Sequence, residues 1–384
     1  MADQRLRRQL HACLQELVVN GQELAGTESV LVLDGPPTPL EFYRLVAANR
    51  PALVKNATHG WPAMQRWRSD AYLANTLGAD TVVTVAATPH GYADAVVEDR
   101  WFAEPAERPM RLRDFMGVMR AELVADGRLD QVQLDTLHRD PQDPTAADVD
   151  RAVEDEMAVQ AWWARLRQQY PGVHYVQSQN GNLAGEFAPL AADVPASVDF
   201  ATEALGKEPD AVNFWMGTGR SVTSLHKDPY ENLYAVMTGA KVFTLLPPTT
   251  QPCLYERDYE HACYRADTLA LEPTTPPQRV PWIPVDPTRP DLERFPRYAN
   301  ARPLTVRVEP GDMLYLPAMW FHHVQQEGRT VAVNWWYDMD YGAAYAYLMM
   351  VRGVSRALRR AEHESGLCDD SEDDQDGDGG HATN

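Results

Sequence analysis

The apolar positions along this chain change period as the sequence proceeds. Over residues 4–24, Leu6, Leu10, Cys13, Leu14 and Leu17 recur every three or four positions. That spacing predicts one face of an amphipathic helix. The run Pro36-Pro-Thr-Pro-Leu-Glu-Phe-Tyr opens a second helix, with Thr38 as N-cap and Pro39 at the first position. Short strand-like runs follow at Pro51-Ala-Leu-Val-Lys and Thr81-Val-Val-Thr-Val-Ala, and residues 109–126 return to a helical pattern. Turn signals at 139–145 lead into a charged helix that stops before Pro171. We read about 125–170 as a helical insertion on the surface, with Trp162-Trp163 docking on the body of the protein.

From Tyr175 the period becomes two. Strands are predicted at Val173–Gln179, Ala211–Gly217, Val222–Asp228, Asn232–Thr238, Lys241–Leu246, Leu304–Val308, Met313–Leu316, His322–Gln326 and Thr330–Tyr337. Thr238-Gly239 and Glu309-Pro-Gly-Asp312 mark turns, the second with the Pro-Gly centre of a type II turn. Many short strands between regular turns predict a mainly β fold with added helices. The expected form is an antiparallel jelly roll of the cupin kind, a double-stranded β-helix barrel. A Pro-rich stretch, 273–303, must be a long ordered loop or an insert. Helix returns over 340–360, with Tyr341, Tyr345, Leu348, Val351 and Leu358 near one face. The expected organisation is therefore a support region over 1–172, the β domain over 173–340, a C-terminal helix over 341–362 and a disordered acidic tail over 363–384.

Charge narrows the partners. The formal net charge is −20 over 384 residues, and the last 24 hold nine Asp or Glu and no Lys or Arg. Even without that tail the chain is acidic, which argues against nucleic acid as the main partner. It suits a basic peptide, attracted electrostatically. Four cysteines form no CxxC and no zinc spacing, as expected for reduced thiols in a cytoplasmic or nuclear protein. The first residues lack the apolar core of a signal peptide, and no apolar run is long enough to predict a membrane span.

The chemistry concentrates in Thr223-Ser-Leu-His226-Lys-Asp228-Pro-Tyr-Glu-Asn232 and in Trp320-Phe-His322-His323-Val. Residues two apart on a strand share a face, so His226 and Asp228 can aim at one point. A histidine from a distant strand would complete two imidazoles and one carboxylate, the facial triad of non-haem Fe(II) oxygenases. Strand parity leaves His322 and His323 both open for that role. The triad leaves a divalent iron with residual positive charge, attractive to an anionic chelator. Lys241 opens an apolar strand, where a snorkelling surface lysine is the ordinary reading. A distal carboxylate of 2-oxoglutarate is the alternative partner. Thr223 and Asn232 flank the triad with groups able to satisfy further oxygens, and Tyr175, Tyr234, Asn334 and Trp336 are wall candidates.

Several runs together resemble the JmjC (jumonji C) hydroxylases: Val212-Asn-Phe-Trp, Thr223–Asp228, Tyr230-Glu-Asn-Leu-Tyr, Val280-Pro-Trp-Ile-Pro, Leu314–Gln326 and Val333-Asn-Trp-Trp-Tyr-Asp-Met. The resemblance reaches upstream to Pro37-Thr-Pro-Leu-Glu-Phe-Tyr. It covers most of 35–350 outside the insertion. It implies His226, Asp228 and His322 as Fe(II) ligands and Lys241 as the 2-oxoglutarate lysine, with Tyr175, Thr223, Tyr234 and Asn232 around the same cosubstrate. Asn334 and Trp336 match pocket-lining positions of a related asparaginyl hydroxylase. The implied reaction consumes O2 and 2-oxoglutarate, releases succinate and CO2, and hydroxylates a lysine of a protein substrate such as a translation-associated GTPase. A homodimer through the C-terminal helix is implied as well. The competing expectations are an N-methyl-lysine or arginine demethylase, a metal-dependent endopeptidase cutting Arg- or Lys-containing tails, and a non-catalytic binding module.

Overall fold

A computed structural model describes residues 2–24, 29–127 and 156–364 of the chain. The expected acidic tail beyond residue 364, and residues 128–155 of the expected insertion, lie outside the described residues.

Two long strands organise the fold: β11 (Tyr230–Leu246) and β17 (Phe321–Asp338). They pair antiparallel from Tyr230 opposite Asp338 to Leu246 opposite Phe321. The sequence expectation divided each into two strands. The division of β11 was placed at Thr238-Gly239, where the register instead slips within a continuous strand. Gly239 there has φ +70°, and a Cβ on it would lie 2.5 Å from the carbonyl oxygen of Arg329. The glycine lies in a bulged stretch, just past the extra residue that β11 carries between Val236 and Thr238, rather than in a hairpin turn.

On the N-terminal side of that bulge, β11 pairs with β16 (Met313–Leu316), and β17 pairs with β9 (Ala211–Gly217). Beyond it, β11 pairs with β15 (Leu304–Val308), and β17 pairs with β10 (Val222–His226). The N-terminal region joins the same sheet through β1 (Leu31–Leu33), β2 (Ala52–Val54) and β4 (Tyr92–Ala93), making nine strands. This mixed, sheet-rich architecture with helices fits a jelly-roll type.

The bulge changes the phase of side-chain alternation. Before it, Leu233, Ala235 and Met237 lie in the apolar layer under the helices, while Tyr234 and Val236 belong to a second cluster on the other side. After it, odd-numbered Phe243 and Leu245 lie in that second cluster. One extra residue flips every later side chain to the other face. Thus Lys241 shares a face with Asn232 and Tyr234, which a straight strand would forbid.

Helices close the other face. In α2 (Pro39–Ala47) Thr38 accepts from Glu41 N while the Glu41 carboxylate accepts from Thr38 N, a complete capping box with Pro39 at N1, as expected. Asp70, fully buried at the start of α4 (Asp70–Leu77), accepts from both Arg120 and Arg329 at 2.8 Å. Arg329 also donates to Trp67 O, so this ion cluster ties the helical layer to the bulged end of β17. The helix expected over 109–126 is α5 (Leu112–Ala125). Its first three residues belong instead to β7 (Ala106–Arg111), which pairs with β3 (Val82–Thr88). Trp163, on the following helix Glu156–Gln169, is buried with Ala121 of α5, and Gly117 leaves room for Trp162.

A separate sheet was not anticipated. Arg257–Tyr264 (β12) pairs in parallel with Trp101–Glu104 (β6), and antiparallel with Leu271–Pro273 (β13) and Arg279–Trp282 (β14). The Pro-rich stretch therefore holds a strand and a 3₁₀ turn, Pro296–Asn300, rather than only loop. The C-terminal helix, Ala343–Glu364, packs Leu348 against Ala318, Met319 and Met339, whereas Tyr341 of the expected face stays exposed.

Gly239→Ala should cost about 1–3 kcal/mol of folding stability, because it combines positive-φ strain with a backbone clash. Thr38→Ala should cost about 1 kcal/mol from the lost cap. Urea unfolding monitored by circular dichroism measures both.

Candidate metal and oxoacid site

The register of β10 on β17 sets His226 directly opposite His322. Their rings lie 4.1 Å apart, centre to centre. Strand β10 stops at His226, short of its expected end at Asp228, and Asp228 sits just past it with Oδ2 3.7 Å from His226 Nε2 and 3.5 Å from His322 Nε2. One donor atom from each residue falls within 4.8 Å of the others. Both rings are held from behind. His226 Nδ1 lies 2.8 Å from Ser224 O, and His322 Nδ1 lies 3.0 Å from Trp320 O. Carbonyl acceptors place the ring protons on Nδ1, so both Nε2 lone pairs face Asp228. Burial and the neighbouring His322 push the His226 pKa down to about 4. Burial alone would raise Asp228, but His226 and His322 outweigh it and hold it below the usual carboxylate range. Two imidazole nitrogens and one carboxylate make a donor set suited to a divalent metal.

The structure also separates the adjacent histidines. His322 points to the triad, while His323 is buried on the opposite side with neither ring nitrogen hydrogen-bonded. Lys227, between the two ligand candidates, turns away to Glu256 at 3.3 Å.

Lys241 is almost completely buried. Its Nζ donates to Tyr175 Oη at 2.7 Å and lies 5.1–5.7 Å from the ring centres of Tyr234, Tyr175 and Trp215. Among the described residues no carboxylate pairs with it, and burial pulls its pKa down to about 7. The aromatic faces offset part of the burial cost of the charge. An anion from outside the chain would offset far more. The donor set and the unpaired lysine together fit a metal with a chelating carboxylic acid.

One cavity is lined by all ten residues singled out in the sequence: Tyr175, Thr223, His226, Asp228, Asn232, Tyr234, Lys241, His322, Asn334 and Trp336. Asn232 accepts from Asn334 Nδ2 at 3.0 Å, and Asn334 accepts from Trp215 Nε1 at 2.6 Å. Trp336 stacks on Tyr230, with 4.8 Å between centres, and its buried indole nitrogen has no hydrogen-bond partner among the described residues. Sequence reasoning missed Gln179, Trp215, Phe243 and Val324 as wall residues. Phe243 and Val324 follow Lys241 and His322 at period two, so alternation could have found them. It also gave no role to Trp282, which stacks on His226 at 6.2 Å and donates to Ser224 Oγ at 3.0 Å.

The profile described as a cupin-like domain matches residues 38–343. The human bifunctional peptidase and (3S)-lysyl hydroxylase JMJD7 is 41% identical over 348 residues, which is 90% of this chain and 95% of the relative. JmjC domain-containing protein E of Dictyostelium discoideum is 33% identical, covering 86% of this chain and 90% of its own. The lysine-specific demethylase JMJ32 of Arabidopsis thaliana is 36% identical, covering 84% and 85%.

Lys241 should leave a signature in the metal-free, ligand-free protein. Its pKa is lower folded than unfolded, so between about pH 7 and pH 10 the unfolded chain binds more protons. Stability should therefore gain a component, on the order of a few kcal/mol, as pH rises through that window. The wild-type minus Lys241→Met difference in urea midpoints isolates it, and the variant should lack it.

Proposed function

Because the chain belongs to the cupin-like JmjC family, whose members are oxygenases, we propose that it is an Fe(II)- and 2-oxoglutarate-dependent protein hydroxylase acting on a lysine side chain. The observation that carries the cosubstrate is Lys241, a buried cation with no anionic partner among the described residues, on the same cavity wall as the triad. When bound, iron and 2-oxoglutarate would supply an oxidant from O2, with succinate and CO2 as by-products.

In this reading His226, Asp228 and His322 hold the metal through Nε2, a carboxylate oxygen and Nε2. The Ser224 and Trp320 carbonyls keep those lone pairs aimed. Lys241 and Tyr175 receive the far carboxylate of the oxoacid, which would keep the lysine charged. The Asn232–Asn334–Trp215 chain fixes one wall, and Asn232, using its oxygen in that chain, turns its NH2 elsewhere. Tyr234, Trp215 and Phe243 exclude water beside the ammonium, which strengthens the contact. Trp282 braces the outer face of His226.

Lysine as target rests on the name of the human relative and on the acidic chain, and a translation-associated GTPase is the substrate protein we propose. Demethylation is the second reading, favoured by the name of the Arabidopsis relative. Peptide cleavage by metal-bound water, the other activity in the human relative's name, leaves Lys241 without a task. No helix among the described residues is long and apolar enough to cross a membrane. Tyr341, Tyr347 and Met350 stand exposed on or beside the C-terminal helix, a surface we propose for a homodimer.

His226→Ala should abolish succinate formation from 2-oxoglutarate, and Lys241→Ala should raise KM for 2-oxoglutarate at least about thirtyfold. Mass spectrometry of a lysine peptide should show the gain of one oxygen atom. Loss of a methyl group from a methylated peptide, or backbone cleavage that survives Lys241→Ala, would replace the hydroxylase reading. Tyr347→Glu with Met350→Glu should shift a dimer to monomer in light scattering.

A further inference from the structure

A second donor cluster lies outside the triad, on the sheet that the sequence did not foretell. His261 and Cys263 are two apart on β12 and so share a face. Cys263 is paired in register with Glu104 on the parallel neighbour β6. His261 Nε2 lies 3.1 Å from Glu104 Oε2, Cys263 Sγ lies 3.4 Å from that same oxygen, and Cys263 Sγ lies 3.9 Å from His261 Nε2. Around zinc, bond lengths of about 2.0 Å to N or O and 2.3 Å to S in tetrahedral geometry give donor separations of roughly 3.3–3.6 Å. The three observed separations fall within about 0.4 Å of that range. We infer that Glu104, His261 and Cys263 form a three-ligand site for a thiophilic divalent ion of the zinc class, with a fourth position left for water.

The local chemistry favours such an ion over the alkaline-earth cations. A thiol and an imidazole select zinc-like metals, whereas magnesium and calcium take all-oxygen shells. Cys263 and His261 are only partly buried, so an ion has a path in. Without metal, burial and then Glu104 push the Cys263 thiol up to about 11, so it stays protonated and donates to the carboxylate. Metal binding would release that proton to solvent and form the S–metal bond. The His261 proton would move to Nδ1, and thiolate plus carboxylate would neutralise the 2+ charge. No oxidation is involved. Placed there, the ion would staple β12 to β6. His261 packs on Phe102 at 5.6 Å, Phe102 on Trp282 at 4.5 Å, and Trp282 on His226. The staple would therefore stiffen the strands that brace the outer face of the triad, without entering the cavity.

Cobalt(II) titration of the metal-stripped full chain tests this directly. The wild type should take up an equivalent that shows a thiolate-to-cobalt charge-transfer band in the near ultraviolet. Cys263→Ser should lose the band and that equivalent, and Glu104→Gln should weaken it by at least about tenfold. His226→Ala should keep the band, which separates this site from the triad. Circular dichroism confirms that each variant is folded. A wild type without the band, or Cys263→Ser with unchanged band and stoichiometry, overturns the inference.

Discussion

The pairing of Tyr230–Leu246 with Phe321–Asp338 is the constraint on which the rest depends. Each strand lends one half to one set of neighbours and its other half to another, so a single ladder positions β9, β10, β15 and β16. The bulge just before Gly239, between Val236 and Thr238, is what makes that ladder useful. It rotates the second half of β11, so that Lys241 and Phe243 join Asn232 and Tyr234 on the cavity wall. Arg329, locked on Asp70, anchors the facing turn of chain from the helical side. A buried ion pair of this kind is costly to break from one side, which makes it a strong registration device.

Electrostatics within the cavity follow from unequal solutions to burial. Burial pushes the His226 imidazole down, while Asp228, although buried, is held below the usual carboxylate range by its neighbours. Lys241 has only a phenol and aromatic faces, so its charged form is left poorly compensated. The protein therefore carries a localised destabilisation that an incoming carboxylate would relieve. In the proposed function, binding energy would be placed at one end of the ligand while a metal held the other. The same reasoning distinguishes the Glu104–His261–Cys263 cluster, where imidazole nitrogen and thiol both sit against the carboxylate until a metal takes the place of the thiol proton.

Most individual strands were legible because apolar alternation and turn residues report local geometry. Ala211–Gly217, Leu304–Val308 and Met313–Leu316 agree with the sequence reading at both ends. The Pro310-Gly311 turn and the Thr38 N-cap were legible for the same reason, since each is decided within four residues. What misled the reading was also local. Gly239 looks like a hairpin turn until a partner strand is present to carry the chain through. Residues 257–264, Arg-Asp-Tyr-Glu-His-Ala-Cys-Tyr, show no regular alternation of apolar and polar side chains, and only pairing with β6, β13 and β14 makes them a strand. Residues 109–111 look helical beside α5, but pair with β3.

By itself the sequence determined which residue types could do chemistry and roughly where they stand along the chain: an HxD on a strand, a lysine at the head of an apolar strand, a distant pair of histidines. Periodicity is a property of neighbours, so it could not choose between His322 and His323, or place Lys241 on the face of Asn232. Those decisions belong to long-range pairing. Residue 322, not 323, lies across from His226 with its ring turned to Asp228, and one inserted residue in β11 reverses the face of everything after it. Only the assembled sheet, which adds register to periodicity, converts scattered donors into a site.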